Sequence, residues 1–349
     1  LFPGLAVAEV LREQGHEVLL FVSEKEVDAR ALQSHPDMAR EELPSIGLPA
    51  IFSPAIVSFL GRLRLSLKKC GALYDRERPA AVLGMGGFTS IAPLVSAWRR
   101  GIPAFLHESN AIPGKANRLA ARFCRAVLLG SGECARHFGR RRTLVTGTPI
   151  RRELTQGVAG AAEARRQLGL AADRATLLIM GGSQGAAGIN ALMAGAAPHL
   201  AATALQVVHL AGERDVAKIS GAYETSGVPA VVLPFCDRMQ EVYPAADLAV
   251  SRAGAASLGE LSYFGLPSVL IPYPYAAEDH QRLNAEIAVR AGAARLLAEK
   301  SATGESLATL LRSLLESPDT LAKMSAAARN LAPRDAAAQV AAVLTDSQS

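Results

Sequence analysis

The stretch ADLAVSRAGAASLGELSYFGLPSVLIPYPYAAEDHQRLNA, from Ala246 to Ala285, decides the fold. Leu248 to Ser251 is a short apolar run that ends in small residues, as a buried strand does. Gly254 to Ser257 is small and flexible, and Leu258 to Phe264 has helical spacing that Gly265 and Pro267 stop. Leu266 to Ile271, apolar and partly β-branched, is a second strand. The unit is strand–helix–strand, with a Gly/Ala/Ser turn at the carboxyl end of the first strand. Open parallel sheets bind ligands at that end. Glu260, one turn into the helix, can accept two ribose hydroxyls there, or can be a helix-start carboxylate favoured by the macrodipole. Glu278, Asp279, His280, Gln281 and Asn284 open the next helix, with Asp279 placed to cap it.

Working outward, Ala175 to Met180 is a strand followed by Gly181-Gly182-Ser183-Gln184-Gly185-Ala186-Ala187-Gly188 and a helix. The spacing is neither GxGxxG nor a P-loop, but glycines before a helix amino terminus suit a diphosphate. Leu205 to Leu210 and Val231 to Leu233 are further strands, and Ser306 to Ala328 is a polar helical region before a last helix, Pro333 to Leu344. In the first half, Ala80 to Leu83 runs into the glycine-rich Gly84 to Ser90, and Ile102 to Leu106 into His107-Glu108-Ser109-Asn110. Asn117 to Arg125 is a basic helix, Ala126 to Leu129 and Thr143 to Val145 are strands, and Arg136 to Arg142 is a solvated charge cluster. Gly147 to Arg151, with Pro149, reads as a hinge. Leu5 to Gln14 is an amphipathic helix and Glu17 to Val22 a strand. A parallel unit needs a strand and a turn before such a helix, so the reading expects both ahead of Leu1.

The length of 349 residues suits two domains. Half the residues are hydrophobic and mean hydropathy is +0.18, enough for full cores. A charge of +5 and a pI near 9.2 suit anionic partners such as nucleotides, diphosphates or anionic lipid. Aromatic residues are scattered with no aromatic-basic repeat, which argues against nucleic acid. Cys70, Cys124, Cys134 and Cys236 form no CxxC pair and read as reduced thiols. The uncharged run from Leu43 to Gly61 is broken as a membrane span by Pro44, Pro49 and Pro54. Ile56, Phe59, Leu60, Leu63 and Leu67 share a helical stripe beside Arg62, Arg64, Lys68 and Lys69. That pattern serves an interfacial helix on anionic lipid, or a core helix with a basic outer face.

Arg252, Gly254, Ala255, Glu260, Gly265-Leu266-Pro267, Pro272, Gln281 and Asn284-Ala285, together with GGSQGA and the HExN segment, resemble the GT-B glycosyltransferases. The likeness is strongest to the branch that moves N-acetylglucosamine from UDP to the C4 hydroxyl of undecaprenyl-pyrophosphoryl-MurNAc-pentapeptide, lipid I. The resemblance implies an α/β fold of two Rossmann-like, doubly wound parallel-sheet domains. The first would be residues 1–148 plus a helix at about 333–349, binding acceptor and membrane. The second, 149–332, would bind UDP-GlcNAc. Ala255, Ala256, Ser257, Leu258, Gly259, Glu260 and Gln281 would contact the donor, with Glu260 on the ribose. Ser183, Asn110 and Arg151 would add contacts, and Cys236 would present its backbone to the uracil. The family's candidate base is the histidine of a GGTGGH-type loop that precedes a segment like LFPGLAVAEVLREQGHEV; within this sequence His107 and Glu108 are the acid–base candidates.

With no DxD motif, neither a metal nor another cofactor is expected. The resemblance also implies an anionic membrane contact through Ile56 to Lys69 and a peripheral place on the cytoplasmic face of the bacterial inner membrane. The alternatives are another GT-B UDP-sugar enzyme, including an epimerase, or a UDP-sugar-binding chain without catalysis. An NAD-dependent oxidoreductase would need a GxGxxG motif, which is absent.

Overall fold

The computed structural model describes residues 2–23, 35–44, 55–182 and 186–346. Two compact units emerge. One joins Leu1–Arg151 to Arg334–Ser349, and the other is Arg152–Pro333. The uncharged run around Pro49 and Pro54, and Ser183, lie outside the described residues.

The first unit opens with α1 (Phe2–Glu13), which buries Leu5, Ala6, Val7 and Ala8. β1 (Leu19–Ser23) and β2 (Ala39–Leu43) form a parallel pair with Leu19 opposite Ala39. α2 (Ala55–Glu77) follows, then β3 (Val82–Gly84), α3 (Ile91–Arg99), β4 (Ala104–Glu108), α4 (Lys115–Ala120), β5 (Ala126–Leu129) and β6 (Thr143–Val145). β3 to β6 make a parallel four-stranded sheet in sequence order. The strands are short apolar runs because both faces are covered, as parallel sheets require. Cys70 and Tyr74 of α2, Leu94 of α3, and Leu106 and Leu129 of the sheet share one core. β4 is longer than the run Ile102 to Leu106 suggested. His107 and Glu108 belong to it, paired with Leu128 and Leu129, because their side chains are buried and hydrogen-bonded inside the unit.

The second unit contains α5 (Ala161–Gln167), β7 (Ala175–Met180), α6 (Ala187–Leu200), β8 (Leu205–Leu210), α7 (Val216–Ser226), β9 (Ala230–Leu233), α8 (Met239–Ala245), β10 (Leu248–Ser251), α9 (Ala255–Phe264), β11 (Ser268–Leu270), α10 (His280–Arg290), β12 (Ala294–Leu296), α11 (Gly304–Leu315) and α12 (Pro318–Arg329). The sheet order is β12-β11-β10-β7-β8-β9, all parallel. α6, α7 and α11 cover one face, and α8, α9 and α10 the other. Strand order reverses between β7 and β10, the switch point outside whose carboxyl ends open α/β sheets bind ligands in a crevice. The helical region from Ser306 is two helices: Ser317 and Pro318 break it, with proline in the first turn of α12 where its missing N–H costs nothing.

The chain then returns to the first unit as α13 (Ala336–Asp346). There Val340, Ala341 and Leu344 pack with Val7, Phe105, Ala126 and Leu128.

Candidate functional site

At the crevice of the second unit, Ser251 ends β10 and Gly254 caps α9 in an extended conformation, φ −68° and ψ 141°. The Leu258 N–H donates to the Gly254 carbonyl at 2.9 Å, closing the first turn. Ala255, Ala256 and Ser257 are therefore helical, not the loose turn their composition suggested; two alanines are strong helix formers once a cap precedes them. Small side chains at these positions leave the amino end of α9 open to an anion. Leu258 and Gly259 lead to Glu260, half-buried on the same helix. The Tyr243 hydroxyl donates to Glu260 Oε2 at 2.5 Å. Tyr243 itself is buried and stacked on Phe264, with ring centroids 4.9 Å apart.

Gln281 accepts the Tyr273 N–H on its Oε1 at 2.9 Å, which orients its amide group. Asn284 Nδ2 donates to the Ala253 carbonyl at 3.1 Å, tying α10 to the turn after β10. Glu278 and Asp279 have φ of 52° and 56°, a region non-glycine residues avoid. Asp279 stands at the N-cap of α10, but its side chain makes no capping bond. Its carboxylate pairs with Arg282 instead, which corrects the simple cap reading. Cys236, half-buried after β9, has its thiol pushed up by burial, and exposed Phe235 precedes it.

Beneath the glycine-rich turn after β7, a polar chain fixes α6. Asn190 Nδ2 donates to the Ala211 carbonyl at 2.8 Å and to Asp215 at 2.7 Å. Its Oδ1 must then accept from His209 Nε2, 3.0 Å away, so His209 Nδ1 accepts from the Tyr223 hydroxyl at 2.9 Å. Burial lowers the His209 pKa to about 4, which keeps this tautomer neutral.

The first unit brings its own cluster together at the carboxyl end of β4. Glu108 Oε1 accepts from the Asn110 backbone and side chain at 2.9 and 3.0 Å, and Oε2 from Asn117 Nδ2 at 2.6 Å. Asn117 Oδ1 in turn accepts the Gly87 N–H at 3.1 Å. Gly86 has φ +91°, and a Cβ there would come within 2.9 Å of Asn117 Nδ2, so this turn requires glycine. His107 is fully enclosed. Its Nε2 donates to the Gly147 carbonyl at 2.9 Å, leaving Nδ1 to accept from Ser109 at 3.3 Å. Burial lowers its pKa to about 4. Arg151 stands over the Phe2 ring, 4.7 Å from its centroid. Asn117 and Tyr243 were missed in the sequence. The available signal was a polar residue on the inner face of a short helix.

On α2 the expected stripe divides. Leu63 and Leu67 lean on the core, while Leu60 is exposed together with Val57 and Leu65, which lie outside the stripe. Lys69 donates to the Glu42 carbonyl at 2.6 Å and pairs with Glu41, so it faces β2. A second exposed apolar group is Trp98 with Leu119, where Trp98 meets Phe123 edge-on at 5.3 Å beside exposed Arg99 and Arg122. No helix among the described residues is long and apolar enough to cross a membrane.

The chain matches the glycosyltransferase family 28 N-terminal domain over residues 1–129 and the family's C-terminal domain over 176–340. A Geobacter metallireducens protein named UDP-N-acetylglucosamine--N-acetylmuramyl-(pentapeptide) pyrophosphoryl-undecaprenol N-acetylglucosamine transferase is 38% identical, covering 97% of this chain and 92% of that protein. A Synechococcus elongatus protein of the same name is also 38% identical, with 99% and 94% covered. Among solved structures, MurG of Acinetobacter baumannii superposes with a TM-score of 0.79 at 26% identity, covering 99% of this chain and 95% of that one. A UDP-GlcNAc 2-epimerase from Neisseria meningitidis, bound to UDP-GlcNAc, reaches 0.71 at 13% identity, a likeness of fold alone.

Proposed function

Because the chain belongs to glycosyltransferase family 28, we propose that it transfers N-acetylglucosamine from UDP-N-acetylglucosamine to the C4 hydroxyl of lipid I, producing lipid II and UDP for peptidoglycan synthesis. The observation that carries this reading is the crevice between β7 and β10, with the amino end of α9 on one side and Glu260 held by Tyr243 above it. A switch-point crevice with an oriented carboxylate fits a nucleoside diphosphate, the carboxylate on the ribose hydroxyls and helix amides on the phosphates.

The reaction is an inverting displacement. The acceptor O4 attacks the anomeric carbon, the bond to the β-phosphate oxygen breaks, and the acceptor proton passes to a base. Charge grows on the departing UDP, and helix amino ends are aimed where it grows. Glu260, Gln281, Ala255 to Gly259, the Cys236 backbone, Ser183, Asn110 and Arg151 are the proposed donor contacts. His107 and Glu108 are buried and committed to internal hydrogen bonds: Glu108 is assigned to holding Asn110 and, through Asn117, the Gly86–Gly87 turn, and His107 to holding the Gly147 carbonyl. The protein works as a peripheral enzyme on an anionic membrane surface on the cytoplasmic side. Val57, Leu60 and Leu65 supply apolar contact, and Arg64 and Lys68 supply positive charge; exposed Trp98 and Leu119, with Arg99 and Arg122, are a separate patch of the same unit.

The test is calorimetric titration of the full chain with UDP-N-acetylglucosamine, beside Glu260→Ala, followed by turnover of lipid I. Binding in the range of about 1 µM to 1 mM, weakened in the variant, supports the reading. No heat at millimolar donor rejects it, and donor turnover without acceptor assigns an epimerase instead.

A further inference from the structure

Arg252 follows β10 directly and is buried. Its Nη1 donates to the carbonyls of Ile271 at 3.0 Å and Pro272 at 3.3 Å, just beyond β11, and pairs with the Glu299 carboxylate. Glu299 opens the single turn after β12. The same carboxylate lies against the first turn of α6, for a Cβ built on Gly188 would run into it. One side chain thus ties the ends of β10, β11 and β12 to the helix that follows the glycine-rich turn. The contacts continue from Arg252. Its guanidinium stands 5.5 Å from the Tyr273 ring centroid, and the Tyr273 N–H is the one Gln281 accepts.

We infer that Glu299 is a positioning residue for the diphosphate of the donor, an inference that rests on assigning this crevice to a UDP-sugar. Glu299 acts through two neighbours. By pairing with Arg252 it compensates a buried cation and holds the guanidinium on both carbonyls, which sets the segment that carries Tyr273 and orients Gln281. By packing on Gly188 it sets the amino end of α6 relative to that of α9. A carboxylate near a helix start could instead compete with a ligand phosphate. The placement argues otherwise: the carboxylate is paired with Arg252, and no amide of the α6 amino end donates to it in any hydrogen bond among the described residues. The effect is confined to the phosphate end. Glu260 and the Cys236 loop, which are assigned to the nucleoside, contact neither Glu299 nor Arg252 in any hydrogen bond among the described residues.

The experiment titrates the full chain with UDP and with uridine by calorimetry, comparing wild type, Glu299→Gln and Glu260→Ala. Glu299→Gln is expected to bind UDP about five- to tenfold more weakly while uridine affinity stays within about twofold. In turnover it raises KM for UDP-N-acetylglucosamine and leaves kcat within about twofold. Gly188→Ala, which presses on the carboxylate from the other side, shows the same selective loss and carries the test if Glu299→Gln does not give a folded melting profile. Equal losses for UDP and uridine, unchanged UDP binding, or tighter UDP binding each overturn the inference. Wild type that binds neither ligand overturns the crevice assignment and the inference together. Wild-type binding lost for both ligands in Glu260→Ala upholds the crevice whatever Glu299 does.

Discussion

The Tyr243 hydroxyl, carried on α8, donates to Oε2 of Glu260 on α9 at 2.5 Å. The bond joins two helices that cover the same face of the sheet, and the stacking of Tyr243 on Phe264 fixes the donor in turn. A carboxylate so oriented would meet the proposed ribose without first losing rotamer freedom. Tyr243→Phe keeps the stacked ring and removes only the hydroxyl. It is expected to weaken UDP-N-acetylglucosamine binding by about 1 kcal/mol, roughly fivefold, with little change in melting temperature. Glu260→Ala weakens it more. Equal donor affinity in Tyr243→Phe and wild type, measured by calorimetry, would remove Tyr243 from the site.

Glu108 is a buried carboxylate with three amide donors around it. In Glu108→Gln one donor meets an NH₂ group and loses its acceptor, at a cost of about 1–3 kcal/mol. Because Asn117 also holds the Gly86–Gly87 turn, the loss is read both as a lower melting temperature and as a lower kcat. Retention of the wild-type pH–rate profile at reduced height is the expected result. Disappearance of one limb of the profile would make Glu108 a proton-transfer group.

Acid should unfold the protein through its buried histidines. His107 and His209 are both held down to about 4 by burial, against an ordinary value of 6.5. Between those values the unfolded chain takes up protons that the folded chain refuses. Stability therefore falls as pH drops from 6.5 to 4, by up to about 3 kcal/mol for each group. Urea melts from pH 7.5 to 4.5 check this, and His209→Asn should show a shallower slope. A stability that stays level across that interval contradicts the expectation.

Replacing Val57 and Leu60 by Glu puts charge on the exposed face of α2 and leaves Leu63 and Leu67 on the core. Cosedimentation with phosphatidylglycerol vesicles is expected to weaken by about tenfold or more, with donor binding unchanged. Equal recovery of wild type and variant would clear α2 of a membrane role, and equal binding of wild type to phosphatidylcholine would remove the part played by charge.

Much of this architecture can be read from the chain because the signals are local. Ala126–Leu129, Thr143–Val145, Ala175–Met180, Leu205–Leu210 and Leu248–Ser251 are bounded strands whose limits follow from short apolar runs between small or turn residues. α9 starts three residues before the helical spacing from Leu258 indicates, because glycine, alanine and serine read as a turn until a cap geometry is known. The sequence reads His107 and Glu108 as lying beyond the strand that contains them, since a polar residue in a buried strand becomes legible only with its partners. Those partners are Gly147 for His107 and Asn117 for Glu108. The links between Tyr243 and Glu260, and between Arg252 and Glu299, join residues far apart in sequence through side chains that give no periodic signal. Ser317-Pro318 was a readable break that the run of alanine and leucine obscured.

The return of α13 to the first unit has a consequence during synthesis. Val7, Phe105, Ala126 and Leu128 precede the second unit in the chain, yet the residues that cover them, Val340, Ala341 and Leu344, are made only after it. The second unit, continuous from Arg152 to Pro333, holds its whole core within one stretch and is able to close while translation continues. The usual order, first-made domain folded first, is thus reversed at its final step. The nascent first unit carries an uncovered apolar surface until its closing segment emerges, and a transcript truncated shortly before codon 340 would yield a sound second unit attached to a sticky, chaperone-dependent first one.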